Sequence, residues 1–254
     1  MVFDRFTLEG KVAIVTGAGR GLGQTMALVL AQAGAAVVAV AQTEREIQET
    51  ADTISKLGKT GLAVPLSVTD SRAVDHLFER VVMDLGSVDI LINNAGGEFG
   101  LSKAATELSD EEWSQILTTN LTGVFYCTRA AGRYMLSRGW GRVINVTCIY
   151  GTRGSVNHAA YAAAKGGLTL FSQALALEWA KGGVTVNALG IGWFEDQRAL
   201  RADPEAVEQL KRVIPGRRLG LPSDVEAALL YLASDASRYF TGQSIWLDGG
   251  ILCR

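Results

Sequence analysis

Seven short runs rich in Val and Ile, at 12–16, 36–41, 61–66, 88–92, 142–147, 184–189 and 244–247, alternate with longer stretches of helical spacing at 22–33, 44–57, 71–85, 110–137, 157–181 and 223–233. The runs are near-continuously apolar rather than alternating, the pattern of strands buried on both faces. Strand–helix alternation then calls for right-handed crossovers between parallel strands, so the chain reads as an α/β protein: a doubly wound parallel sheet flanked by helices on both faces. Gly34, after Gln32 and Ala33, has the place of a helix C′ glycine, and Ser109-Asp110-Glu111-Glu112 that of a helix start with acids in its first turn. No linker, repeat or composition shift divides residues 1–254, so one domain is the simplest organisation. The stretch 193–215 breaks the rhythm. Charged and helical in spacing, it lies between a strand and the next core helix, where a lid over a site at the strand ends belongs.

With 48% hydrophobic and 20% charged residues the chain can bury a sizeable core, which excludes disorder as its main state. Its 24 basic and 26 acidic residues leave a net charge of −2 with no long run of either sign, so no field exists to hold nucleic acid. The 29 glycines against 4 prolines imply many tight turns. Cys127, Cys148 and Cys253 are too scattered for a disulfide framework or a metal site, and fit a reducing compartment. No apolar stretch approaches the roughly 20 residues of a membrane span, and Asp4, Arg5, Glu9 and Lys11 interrupt any signal-like core. A cytoplasmic protein without membrane, nucleic-acid or metal partners is expected.

Thr16-Gly17-Ala18-Gly19-Arg20-Gly21-Leu22-Gly23 follows the first strand directly and opens the first helix. Glycines let backbone approach a pyrophosphate closely, and a helix N-terminus offers N–H groups and a positive dipole end. The spacing G-x-x-x-G-x-G differs from the dinucleotide fingerprint G-x-G-x-x-G, whose third glycine would fall on Leu22. On local grounds a tight strand–helix turn without a ligand is also open. About twenty residues on, where an acid would hold the ribose 2′-hydroxyl of NAD, stand Ala41-Gln42-Thr43. Nothing there repels a 2′-phosphate, and Arg20 could pair with one, which favours NADP(H) over NAD(H); Glu44 and Glu46 close behind weaken that preference.

Tyr161 and Lys165, four apart, share one helix face. An ammonium beside a phenol stabilises phenolate, each unit of pKa lowering being worth about 1.4 kcal/mol, so the spacing predicts a lowered Tyr161 pKa and a general acid/base. Taken alone, the pair is more often a surface ion contact.

Together these segments resemble the single-domain members of the short-chain dehydrogenase/reductase family, from about Leu8 to Gly250. The markers are the Thr16–Gly23 loop, Asn93-Asn94-Ala95-Gly96 at the end of the fourth strand, Asn120, and Tyr161 with Lys165. In the tail they are Arg218-Leu219-Gly220-Leu221-Pro222-Ser223-Asp224, Leu232-Ala233-Ser234-Asp235, Thr241-Gly242 and Asp248-Gly249-Gly250. The resemblance implies a Rossmann-like sheet of seven parallel strands, hydride exchange between a nicotinamide cofactor and a carbonyl/alcohol pair, and a homotetramer or homodimer. It implies Tyr161 as acid/base, Lys165 as ribose ligand lowering the tyrosine pKa, and Asn120 as holder of a proton-relaying water. Cofactor contacts are implied for Gly17, Gly19, Arg20, Gly21, Leu22, Gly23, Gln42, Ser67, Val68, Asn94, Ala95, Gly96, Tyr161, Lys165, Ile191 and Asp196.

The chain departs from that family where substrate is oriented. The serine expected thirteen residues before the tyrosine is Cys148. A thiol is a weaker donor than a hydroxyl, and the neighbouring Thr147 should point to the other face of its strand. Three roles stay open for Cys148: a tolerated replacement in a slower reductase, a thiol with its own chemistry, or packing in a cofactor binder without turnover. After the sixth strand Ile191 and Asp196 replace the usual proline and threonine, and Ser67 replaces the usual acid after the third. The resemblance turns Glu98, Phe99, Cys148, Tyr150, Arg153, His158 and Trp193 towards substrate, with the lid residues from Asp196 to Leu200. Aromatic walls with Arg and His suit an oxygen-rich or carboxylated molecule, while each of these residues also has a packing or surface role open to it. The opening 3–11 resembles sugar-acid dehydrogenases of the gluconate 5-dehydrogenase type, and the chain as a whole also resembles the 3-oxoacyl reductases of the family. A sensor with lapsed redox activity and a non-redox lyase or epimerase remain alternatives.

Overall fold

Valine and isoleucine prefer extended backbone, and here each of their runs becomes one strand of a single parallel sheet. A computed structural model describes residues 1–195 and 204–254. The strands are β1 (Val12–Thr16), β2 (Ala36–Ala41), β3 (Gly61–Pro65), β4 (Ile90–Asn93), β5 (Gly141–Cys148), β6 (Val184–Ile191) and β7 (Ser244–Leu247). They lie in the order β3-β2-β1-β4-β5-β6-β7, every pairing parallel. The helices are α1 (Gly21–Gln32), α2 (Glu44–Lys56), α3 (Ser71–Leu85), α4 (Asp110–Leu117), α5 (Gly123–Arg138), α6 (Ala159–Trp179), α7 (Pro204–Val213) and α8 (Glu226–Ala233). The chain thus adopts the doubly wound, Rossmann-like fold that the strand runs called for.

Strand parity explains why the runs are apolar throughout. In β1, Ala13 and Val15 enter one core with Met26 and Leu30 of α1 and Leu229 and Leu232 of α8. Val12 and Ile14 enter the opposite core with Leu77 and Phe78 of α3 and Cys127 and Ala131 of α5. β2 divides in the same way, Val37 and Ala39 against Val38 and Val40. Each large side chain so buried contributes about 1.5–3 kcal/mol, and a polar residue on either face would forfeit it.

Local signals set the helix ends. Gly34 takes a φ of +115°, and the Gly34 N–H to Ala31 carbonyl and Ala35 N–H to Leu30 carbonyl bonds close α1 as a Schellman motif. Ser109 and Glu112 cap α4 reciprocally, and Asp70 accepts from the Arg72 and Ala73 amides at the start of α3. The single helix expected over 110–137 is instead two. A π-helical turn, Thr118–Thr122, separates α4 from α5, with the Gly123 N–H reaching back to the Thr118 carbonyl. Periodicity cannot register this one-residue widening, because both halves keep their apolar faces.

β1 pairs with both β2 and β4, so successive crossovers diverge beyond the carboxyl ends of β1 and β4. That switch point opens the crevice in which such sheets take their ligands. Of the stretch expected as a lid, 193–215, positions 196–203 lie outside the described residues. On its flanks Phe194 is buried and bridges to Gly220, and α7 follows. Among the described residues no helix is long and apolar enough to cross a membrane.

Candidate active site

The glycine loop is held from beneath by one buried hydroxyl. Thr16 Oγ1 donates to the Ile92 carbonyl at 3.2 Å and accepts from the Asn94 and Ala95 amides at 3.0 and 3.1 Å. Asn94 Nδ2 returns to the Thr16 and Gly17 carbonyls, both at 3.2 Å. Thr50 of α2 donates to the Ala18 carbonyl at 3.0 Å. Gly17 and Gly21 take positive φ, and a Cβ at Gly23 would collide with the Gly17 carbonyl oxygen and stand 2.5 Å from Asn94 Nδ2. The loop therefore bends tightly over the N-terminus of α1 with its backbone bare of side chains, as Gly19 also is. This cradle fits a dinucleotide pyrophosphate, with Gly17, Gly19, Gly21, Leu22 and Gly23 as its floor.

Around the loop the other expected cofactor residues take distinct positions. Arg20 is ion-paired with Glu46 at 3.3 Å, and Gln42 donates to Ser67 at 3.1 Å, closing the end of β2 against the end of β3. Ser67 also shares a 2.8 Å hydrogen bond with Thr69. Val68 is buried under Gly123, whose Cβ would stand 2.8 Å from Val68 Cγ2, so only its backbone can face a ligand. Ile191 likewise turns its side chain into the core, beside Cys148 in the β5–β6 register. Asp196 lies outside the described residues.

Gly96, Asn120 and Lys165 converge at the carboxyl end of β4. A Cβ at Gly96 would run into Asn120 Oδ1 and stand 3.7 Å from Lys165 Nζ. Asn120 is fully buried: Nδ2 donates to the Gly97 and Ile116 carbonyls at 2.9 and 3.0 Å, and Oδ1 accepts from the Gly97 amide at 3.0 Å. Both amide hydrogens are spent on protein, so this side chain braces the Gly96–Gly97 backbone, and a water held here has only Asn120 oxygen atoms to bind.

Lys165 is also buried and donates to the Val146 carbonyl at 2.9 Å; burial pulls its pKa down to about 8. Its ammonium stands 5.7 Å from the centre of the Tyr161 ring. The lowering of the Tyr161 pKa expected from this pair is not what the surroundings impose. Burial of the phenol, then Cys148 and Glu98 nearby, push it well above the usual tyrosine value. The spacing rightly put both residues on one face; it could not report how dry that face is.

Cys148 ends β5 close enough to Tyr161 and Lys165 for both to bear on it, and its thiol pKa is pushed up by burial. Thr147 points the other way, its hydroxyl donating to the Lys165 carbonyl at 3.2 Å. Tyr150 follows in a short turn whose Gly151 packs on α6: a Cβ there would stand 2.7 Å from the Lys165 carbonyl carbon. Tyr150 meets the His158 ring at a tilt, 4.8 Å between centres, and Trp193 edge-on at 6.4 Å. His158 sits at the N-cap of α6 and pairs with Glu98 at 3.2 Å. Arg153 is exposed, and Phe99, at φ +55°, is half exposed.

Two features escaped the sequence reading. Gly151 sets the close approach just described. A buried polar chain also runs across the sheet, Asn93 Nδ2 to Thr128 and Asn145, then Asn145 Nδ2 to Ser172 of α6, at 2.8–2.9 Å. It ties the strands that carry Asn94 and Cys148 to the helix that carries Tyr161. Asparagines inside Val/Ile runs were its visible signal, since an unpaired amide in such a strand would be costly.

Residues 17–252 match the family model described as enoyl-(acyl carrier protein) reductase. The chain belongs to the short-chain dehydrogenase/reductase family and is an NAD(P)-dependent oxidoreductase. Among its relatives, the 3-oxoacyl-(acyl-carrier-protein) reductase of Vibrio cholerae is 38% identical, covering 96% of this chain and 98% of that one. The 2-dehydro-3-deoxy-D-gluconate 5-dehydrogenase of Escherichia coli is 36% identical over the whole of both chains. A solved structure of a gluconate 5-dehydrogenase from Burkholderia cenocepacia in complex with NADP and tartrate superposes with a TM-score of 0.93, at 32% identity and full coverage of both chains.

Proposed function

We propose that this enzyme reduces the ketone of a hydroxylated, sugar-acid-like substrate with NADPH, and runs the reverse oxidation more slowly. The reading rests on one observation: at the carboxyl edge of the sheet the Lys165 ammonium stands 5.7 Å from the centre of the Tyr161 ring, with Cys148 at the end of β5 close enough to bear on the phenol. A phenol whose pKa is held up keeps its proton at neutral pH and is a donor to a carbonyl oxygen; oxidation needs the phenolate that its surroundings disfavour. Cys148 stands where the family orients substrate through a serine and polarises the carbonyl more weakly. Asn120 fixes the Gly96–Gly97 backbone beside Lys165, which would hold the nicotinamide ribose. Bound nicotinamide supplies the hydride.

The substrate class is supported by the Tyr150, His158, Trp193 and Glu98 wall and by the likeness to gluconate-type dehydrogenases. NADP is supported by Gln42 at the end of β2, with Arg20 exchanging Glu46 for the 2′-phosphate. We further read the chain as one domain with 193–215 as its lid, cytoplasmic, and a homotetramer; exposed Phe125, Leu170 and Leu177 on α5 and α6 support the assembly.

The test is Tyr161→Phe. Turnover should fall by about 10³ while NADPH affinity, followed by energy transfer from tryptophan, stays within about threefold. An undiminished rate would remove Tyr161 from the mechanism, and tighter binding of NADH than of NADPH would reverse the cofactor assignment.

A further inference from the structure

Both ring nitrogens of His158 face acceptors. Nδ1 lies 2.6 Å from the Val156 carbonyl, where it can only donate, and Nε2 lies 3.2 Å from Glu98 Oε2. Whether the proton between them belongs to the imidazole or the carboxyl, His158 has no donor left for a ligand. The sequence places His158 in a wall suited to an oxygen-rich or carboxylated molecule, and with both nitrogens so engaged it offers a carboxylate no donor. Glu98 keeps a second oxygen, Oε1, which no donor among the described residues meets. Glu98 is about one-third exposed and lines one pocket with His158 and Tyr161, so the pair brings an acceptor to that pocket.

The pair is also built at some cost in backbone conformation. Phe99, next to Glu98, and Asn157, next to His158, are two of the three described non-glycine residues at positive φ, at +55° and +63°. The Lys103 amide donates to the Asn157 carbonyl at 3.0 Å and joins the two loops. His158 leads directly into the turn of α6 that carries Tyr161. Glu98 is near enough to Cys148, Tyr150 and Tyr161 for its charge to bear on all three.

We propose that Glu98, positioned by His158, is a specificity-determining acceptor for a hydroxyl donor adjacent to the reacting carbonyl, so the enzyme selects α-hydroxy ketones over simple ketones and over those bearing a carboxylate or ether at that place. This rests on the reductase reading above. A neutral hydroxyl given to a carboxylate oxygen gains a charge-assisted bond, whereas an ether oxygen or a carboxylate there meets only repulsion.

The probes are 3-hydroxy-2-butanone, 3-methoxy-2-butanone and 2-butanone, reduced with NADPH by the wild type and by Glu98→Gln. In the wild type kcat/KM for the hydroxy ketone should exceed that for the other two by about tenfold or more, with the methoxy ketone no better than 2-butanone. In Glu98→Gln the advantage of the hydroxy ketone over the other two should shrink to within about threefold. A methoxy ketone as good as the hydroxy ketone overturns the proposal with the wild type alone, so it does not depend on the variant folding. An unchanged preference in Glu98→Gln, or an equal loss on all three ketones, overturns it too, the latter marking Glu98 as structural. Calorimetric binding separates this proposal from the reading beneath it. No turnover, with selective binding of the hydroxy ketone that Glu98→Gln abolishes, overturns the reductase reading and upholds the acceptor; no turnover with no selectivity overturns both.

Discussion

On the proposed cofactor side of the crevice a single buried hydroxyl, Thr16, gathers the ends of β1 and β4 into one rigid turn, whereas on the proposed substrate side Glu98 and His158 meet across two loops that each contain a residue at positive φ. The first wall is set by backbone: glycines that admit no Cβ, amides that need an acceptor, a helix end that faces the ligand. The second is set by side chains sixty positions apart in the chain, whose partnership depends on loop shapes. The comparison teaches that one crevice can hold a ligand by two different economies, one indifferent to side-chain identity and one entirely dependent on it. Changes to the first wall should move stability and cofactor affinity together. Changes to the second should move turnover or selectivity and leave stability nearly alone.

The largest effect is expected where the walls meet, at Lys165. Its pKa is pulled down from 10.5 to about 8, so between those values the unfolded chain binds a proton that the folded chain does not. Stability must then rise with pH across that window and be lowest below it. Urea unfolding of the wild type between pH 7.5 and 10 should show a gain relative to Lys165→Met on the order of 3 kcal/mol. Parallel curves for the two proteins would mean that the ammonium stays hydrated, and the walls would no longer differ in dryness at that point.

Thr16→Val comes next. It leaves the Asn94 and Ala95 amides without their acceptor, and should cost about 1–3 kcal/mol in urea unfolding and weaken NADPH binding in the same variant. Lost affinity at full stability would show that the cofactor wall is not the rigid unit described. The smallest effect belongs to Cys148→Ser, which puts a stronger donor beside Tyr161. It should raise kcat by up to about tenfold, some 1.4 kcal/mol, with the unfolding midpoint unchanged. A large fall in kcat would give the thiol a role of its own.

How far each wall could be read from sequence follows from the same difference. The strands, the glycine loop, Asn94 and the Tyr161/Lys165 pair depend on covalent periodicity and steric exclusion, which spacing records directly. Gly34 and Ser109 declared their helix ends for the same reason. The burial that raises the Tyr161 pKa, the commitment of both Asn120 amide hydrogens, and the Glu98–His158 pairing depend on packing between distant segments, and no local pattern encodes them. Phe99 is the plainest case, since nothing about a phenylalanine announces a positive φ. Asn93 and Asn145 lie between these extremes: their polarity inside apolar strands was visible, and their partners, Thr128 and Ser172, were not.

The π-helical turn at Thr118–Thr122 carries a consequence for how this chain can change in length. One residue more than an α-helical turn brings Asn120 inward while Cys127, Ala131 and Met135 still face the sheet. Deleting one residue between 118 and 122 would let this turn close with ordinary α-helical winding and leave Cys127, Ala131 and Met135 on the core, and the loss would fall on Asn120, whose inward place the wider turn supplies. Surface loops elsewhere can lengthen or shorten with little effect. Here one residue added to a helix serves the position of a single buried amide.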